Sequence, residues 1–347
     1  MTDDRTSVTP GPVSTRARRF SLGRLWQGNA GRQIFVAILL FLVVLSFFSL
    51  SSNVFLSSQN LANLARSFSW LAMAAIGQGV VIVMGGIDLS VGATMALAGL
   101  VAGRCMQLGF SVALAIMLGL LVGVVVGAIN GLLVARFHLP AFVVTLGTMG
   151  IQRGIAYGLT GGWSVTNMPE AFLGLGQSDV GFGLWTVPAP LLITLAVALL
   201  LSLFLRRTVM GGDIYAISSG ERALVVSGVN VTRLKVFVYT LCGLLAAAGG
   251  LLLAARLGVA APAAAVGAEV DVVAAAIIGG ASLFGGVGGI LGVLLGAAIT
   301  QMLNNGLILL GYPSYWQTAA ICTLMLVTFM LDYWRRQRQA AVHGTSD

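Results

Sequence analysis

GGDIYAISSGERALVVSGVNVTRLK, residues 211–235, is a polar insert between two strongly apolar runs. It carries Asp213, Glu221, Arg222, Arg233 and Lys235, in a chain whose other connections are short. What lies on either side of it sets the fold class. The chain is 58% hydrophobic and 9% charged, whereas a soluble domain has about 25% charged residues. So few charges cannot cover that much apolar surface, and lipid is the solvent for most of the chain. A long water-soluble segment in such a chain reads as a docking element on the cytoplasmic side.

Working outward, the apolar runs are too long and unbroken for a transmembrane barrel, so the chain reads as an all-α membrane protein. Its length accommodates about ten transmembrane helices of roughly 20 residues. The spans fall at about 33–50, 61–84, 89–108, 111–135, 140–160, 188–205, 236–257, 270–283, 287–308 and 315–333. A polar, Gly-rich stretch occupies 161–187, and the charged insert 206–235. Residues 1–32 form a basic Ser/Thr/Pro/Gly-rich tail, read as disordered; 33–334 form one transmembrane domain; 335–347 close the chain as a second tail. No small-residue cleavage site follows the first span, so it reads as a span and not as a signal peptide.

The net charge of +8 does not point to nucleic acid, because the basic residues cluster in the tails and the insert. With both termini cytoplasmic, only Arg66, Arg104, Arg153 and Arg256 fall off the cytoplasmic side. That asymmetry favours an even number of spans. Cys105, Cys242 and Cys322 lie in or beside apolar runs and read as packing residues, and His138 and His343 are too far apart for a metal site. Gly119, Gly123, Gly127 and Gly131, and likewise Gly285, Gly289, Gly292 and Gly296, form ladders for close helix packing.

Two segments resemble each other: GGIDLSVG at 85–92 and GGASLFGG at 279–286. Each follows an apolar run and precedes a small-residue helix, and paired interruptions of this kind point to a transport path. Asp88 has no basic neighbour in sequence. It reads either as a helix cap, together with Ser90, or as a proton or solute site. Gln78, Asn130, Thr145, Gln152, Gln301, Asn304, Asn305 and Gln317 are polar residues within spans, and none is charged. With Asp88 they are candidates for the translocation path. Amides and hydroxyls suit an uncharged hydrogen-bonding solute, although each alone also reads as contact between helices. No Walker-type GxxxxGK[ST], HExxH or nucleophile–His pair is present, so no catalytic residue is assigned and the chain is read as no enzyme.

Together these residues resemble the permease subunits of ABC importers of the ribose/xylose/arabinose type. The likeness covers about 35–335 and is carried by GGIDLSVGATMALAG (85–99), MGGDIYAISSGERALVVSGVNV (210–231), GGASLFGGVGGILGVLLGA (279–297) and LNNGLILLGYPSYWQ (303–317). It implies a type II ABC importer-like permease in a bacterial inner membrane, working by alternating access for a sugar or sugar-like solute. It also implies three protein partners: a second permease copy or paralogue, a cytoplasmic ATP-binding subunit and a periplasmic sugar-binding protein. ATP and Mg would sit on the partner subunit, with no cofactor on this chain and no metal site. The binding protein would face loops 51–60, 161–187 and 258–269.

The insert would carry the coupling helix, its contact centred on Gly220, Glu221, Arg222, Ala223 and Leu224, with Ser227, Gly228 and Asn230 ending it. Ser219 is the expected N-cap. The run Ala223-Leu224-Val225-Val226 is more apolar than the paired Ala and charged residue usual at this place in the family. The alternative readings are a branched-chain amino-acid ABC permease and an ion-coupled secondary transporter centred on Asp88.

Overall fold

A computed structural model describes residues 29–343, apart from 184. The helices are α1 (Asn29–Ser51), α2 (Ser58–Met84), α3 (Val91–Gln107), α4 (Val112–Arg136), α5 (Ala141–Thr160) and α6 (Glu170–Gln177). A hairpin of β1 (Asp179–Phe182) and β2 (Trp185–Pro188) leads to α7 (Ala189–Arg207). The insert folds as α8 (Val209–Ala216), a 3-10 turn at Ile217–Ser219 and α9 (Glu221–Val226). The chain closes with α10 (Val231–Leu257), α11 (Ala268–Ile278), α12 (Ile290–Leu309) and α13 (Ser314–His343).

Among the described residues, 7 helices are long and apolar enough to cross a membrane: α1, α2, α4, α7, α10, α12 and α13. Their burial separates centre from periphery. In α2, 83% of the most apolar window is buried; in α1 the figure is 17% and in α13 it is 6%. The central pair is α2 and α10. Leu71, Ile76, Val80, Val238, Tyr239 and Cys242 share one apolar core, with Val272 and Val293 reaching in from α11 and α12. A smaller cluster ties α3 and α4 to Phe172 of α6, and a third joins α1, α12 and α13 around Phe48 and Phe55.

The α4 glycine ladder explains how α4 comes so close to α10. A Cβ on Gly131 would lie 2.7 Å from Val236 Cα, and one on Gly123 would collide with the Gly243 carbonyl. The second expected ladder is only half helical. Gly292 and Gly296 press on Gly279 and Ala275, whereas Gly285 is in a turn and Gly289 precedes α12 and faces open space.

Side-chain caps set several helix starts. Ser57 accepts from Asn60 N, Ser111 from Leu114 N and Asn230 from Arg233 N.

The contacts sort the loops into two ends. At one end Arg66 pairs with Asp179 at 2.7 Å, Gln177 donates to Ala255 and Arg256 carbonyls, and Val165 bridges to Ala260. Arg153 donates to the carbonyls of Pro262 and Ala264 there. At the other end lie the insert and both glycine turns. Gln33, early in α1, lies against Gly280, and Asp332, late in α13, accepts from Ser282. The described chain therefore starts and finishes at the insert end.

Three expectations change. The fold is not purely all-α: the polar, Gly-rich stretch holds α6 and leads into the hairpin, so the protein is mainly helical with one small sheet. Helix α11 stops at Ile278, well short of 283, because Gly279 and Gly280 break it. The expected tails overlap helices, since α1 begins at Asn29 and α13 runs to His343; the rest of the expected disordered segment lies outside the described residues.

Candidate functional site

The insert end is built on two glycine turns. Gly85, φ +92°, follows α2; its N–H donates to Ile82 O, and Gly86 N–H donates to Val81 O. Gly280, φ +91°, does the same after α11: its N–H donates to Ile277 O, and Ala281 N–H donates to Ala276 O. Both are Schellman closures with glycine in the left-handed region. The matching glycine is the first of the pair in one turn and the second in the other. The structural register of the repeat is therefore shifted by one residue from the sequence match, and Asp88 is not opposite Ser282.

After the first turn comes a buried polar cluster. Asp88 is 1% exposed. Its Oδ1 accepts from Ser90 N at 2.8 Å and Ser90 Oγ at 2.6 Å. Asn130 Nδ2 on α4 donates to Ser90 Oγ at 2.9 Å. With its amide oriented to satisfy both groups, Gln78 donates to Asp88 O at 3.1 Å and accepts from Asp88 N at 3.2 Å. Thr94 Oγ1 donates to Gln152 Oε1 on α5 at 2.8 Å. Four path candidates, Gln78, Asp88, Asn130 and Gln152, thus converge through Ser90 and Thr94. Asn130 Oδ1, Gln152 Nε2 and the Tyr239 hydroxyl are buried there with no partner. Asp88 does help to start α3, but by bonding Ser90, the residue before the helix, and not by capping the helix amides beyond it.

The other path candidates lie elsewhere. Thr145 returns its hydroxyl to Ala141 O on its own helix. Asn305 and Asn60 exchange amide hydrogen bonds of 3.0 and 2.9 Å near the opposite end. Asn304 lies beside Asp271 of α11, and Gln301 is buried on the same helix as Asn304 and Asn305. Gln317 is in the first turn of α13, next to Thr318, which lines a cavity with Asp271. Asn60, Asp271 and Tyr239 were not singled out from sequence. Asp271 and Tyr239 were detectable as polar groups within apolar runs; Asn60 lies at a span end, where an amide carries no such signal.

The insert is anchored on these turns at one edge and free at the other. Thr208 caps α8 by accepting from Gly211 N, and Ile214 and Ile217 enter the main core. Tyr215 Oη donates to Gly288 O at 3.0 Å, and Ser218 Oγ to Tyr215 O at 3.2 Å. Burial raises the Tyr215 hydroxyl above its usual range, so it is a donor at neutral pH. Helix α9 starts at Gly220 with no side-chain cap, so the expected Ser219 cap is replaced: Ser219 ends the 3-10 turn. Its finish is as expected. Gly228, φ +84°, donates to Val225 O, and Val229 donates to Leu224 O. Leu224 and Val229 pack on the core, while Asn230 does not end α9 but caps α10.

Glu221 Oε2 pairs with Lys235 Nζ at 2.8 Å, tethering α9 to α10. Arg222, Ala223 and Ser227 are exposed, and so are Val225 at 58% and Val226 at 89%. Val209, 83% exposed, lies on the same insert. Among the described residues no group of His, Cys, Asp and Glu could hold a metal ion.

A family profile described as "Branched-chain amino acid transport system / permease component" matches residues 60–329. The ribose import permease protein RbsC of Escherichia coli K12 is 38% identical over 298 residues, covering 86% of this chain and 92% of the relative. The xylose transport system permease protein XylH of Haemophilus influenzae is 33% identical over 360 residues, covering 86% and 96%. The L-arabinose ABC transporter permease protein AraH of Azospirillum brasilense is 31% identical over 344 residues, covering 99% and 98%. No solved structure matches. With most of its length aligned to such proteins and its apolar helices packed as a multi-pass bundle, the chain belongs to this family of transport-system permease components.

Proposed function

We propose that the chain is the membrane path of an ATP-driven importer for a sugar or sugar-like solute, with hydrolysis on a separate subunit that docks on α9. The observation that carries the docking is α9 itself: a six-residue helix at the end where the described chain starts and finishes, turning Val225 and Val226 outward. Exposed valines on a polar loop are what a protein partner covers. The ribose, xylose and arabinose relatives support a sugar as solute, as do the uncharged amides Gln78, Asn130 and Gln152 buried in the interior. A branched-chain amino acid is disfavoured by the same relatives.

In this reading α3, α5 and α11 cross with the seven helices named above, giving ten passes of a bacterial inner membrane with the insert end cytoplasmic. A periplasmic sugar-binding protein faces the end with the hairpin. A second permease copy packs on α5, where Gly147, Gly150, Gly154 and Gly158 each look onto open space. ATP and Mg belong to the docked subunit. ATP and the loaded binding protein drive transport by stabilising different states of the permease.

The test is to purify the tagged chain from native membranes in mild detergent and identify what accompanies it. The expected result is a stoichiometric ATP-binding protein that is lost when Val225 and Val226 are both replaced by Asp. This is cleaner than reversing Glu221 and Arg222, because Glu221 already holds Lys235. A homo-oligomer with no ATPase that moves solute in liposomes would overturn the reading and favour an ion-coupled carrier.

A further inference from the structure

Between the proposed docking helix and the buried polar cluster lies a junction of three backbone segments. Gly286 N–H donates to Val83 O at 2.8 Å, joining the loop after the second turn directly to the end of α2. A Cβ on Gly285 would lie 2.5 Å from Ser218 Cβ, 3.0 Å from Val83 O and 3.1 Å from Gly85 Cα. One on Gly286 would lie 2.7 Å from Ser218 Oγ. Ser218 is thus seated against glycines of both halves of the chain, with left-handed φ of +92° at Gly85, +76° at Gly285 and +73° at Gly286. Tyr215, three residues earlier, holds the same loop through Gly288 O. On the far side, a Cβ on Gly86 would lie 2.5 Å from the buried Tyr239 hydroxyl, and Asp88 follows two residues later.

From this geometry we infer that Tyr215 and Ser218 are positioning residues, forming the joint through which movement of α9 reaches the first glycine turn, the loop after the second and the Asp88–Ser90–Asn130 cluster. The inference rests on the docking of an ATPase on α9. The contact is close enough that the 3-10 turn, the first glycine turn and the loop after the second move as one body. Glycine is needed here for two reasons: the left-handed backbone and the absence of room for a side chain. Ser218 is small enough to fit, and its hydroxyl is held by Tyr215 O. Tyr215 reaches Gly288 O with a single hydrogen bond that phenylalanine cannot make. The polar groups left unpartnered beyond Gly86 provide bonds that a shifted turn could complete.

The test uses the permease with its ATPase and binding protein in proteoliposomes, measuring solute moved per ATP hydrolysed, ATPase retention and melting temperature. Tyr215→Phe and, separately, Ser218→Leu are expected to retain the ATPase and lower the transport-to-hydrolysis ratio about threefold or more. A purely structural role would lower transport and hydrolysis together with melting temperature, leaving the ratio unchanged. An unchanged ratio in both variants with the ATPase bound would overturn the joint. Absence of an ATPase from the unmodified complex would overturn the docking reading instead, so the two failures are distinct.

Discussion

The two glycine turns close their helices with the same hydrogen bonds, yet lead into opposite surroundings. Past Gly85 the chain turns inward, and Asp88 is satisfied by Ser90 within a buried amide cluster. Past Gly280 it turns toward the outer helices: Ser282, buried at 2% exposure, donates to Asp332 near the end of α13, and Phe284 is 48% exposed. A shared backbone closure therefore does not carry a shared role. The first turn is joined to the interior, the second to the outer helices, and Ser218 lies between the first turn and the loop after the second.

Substitutions in the first turn and in the loop after the second should separate the two regions, read as melting of the purified protein in detergent. The largest effect is expected at Gly285→Ala, which combines left-handed φ with overlap on Ser218 and Val83, and costs on the order of 3 kcal/mol or more. Gly85→Ala has the same backbone penalty but meets only Ser218 Cβ at 4.0 Å, so it costs about 1–2 kcal/mol. Equal losses at the two positions would break the comparison. Next, Asp88→Ala strands Ser90 N–H in the interior and costs about 1–3 kcal/mol, against about 0.5–1.5 kcal/mol for Ser282→Ala. A reversed order would mean that the bond to Asp332 outweighs the Asp88 cluster. Smallest is Gly289→Ala: its φ is −173° and nothing lies in front of it, so stability should hold or rise by up to about 1 kcal/mol.

The membrane class, seven of the ten expected spans and the α4 ladder were legible because each rests on composition or on spacing along one helix. Gly119 to Gly131 could be read as a contact face without knowing that α10 was its partner. Helix α9 was legible too, down to Gly228, since a glycine terminator is a local signal. Its start was not, because Ser219 is used by the preceding 3-10 turn. The hairpin was hidden in a Gly-rich stretch whose strands are only 4 residues each, too short to show alternation. The polar candidates divided along the same line. Residue type marked Gln78, Asp88, Asn130 and Gln152 as unusual, but only folding shows that they meet, while Asn304 and Asn305 belong with Asp271 and Asn60 at the other end. The one-residue shift between the turns was invisible because each offers two adjacent glycines, and only φ tells them apart.

The most direct test of the account is photo-crosslinking in intact cells from two exposed positions at opposite ends, Val226 at 89% and Trp163 at 80% exposure. The account predicts that a photoreactive residue at 226 captures an ATP-binding protein and none of the periplasmic binding protein, with the reverse at 163. Capture of the ATP-binding protein from 163, or of no ATP-binding protein from 226, would contradict it.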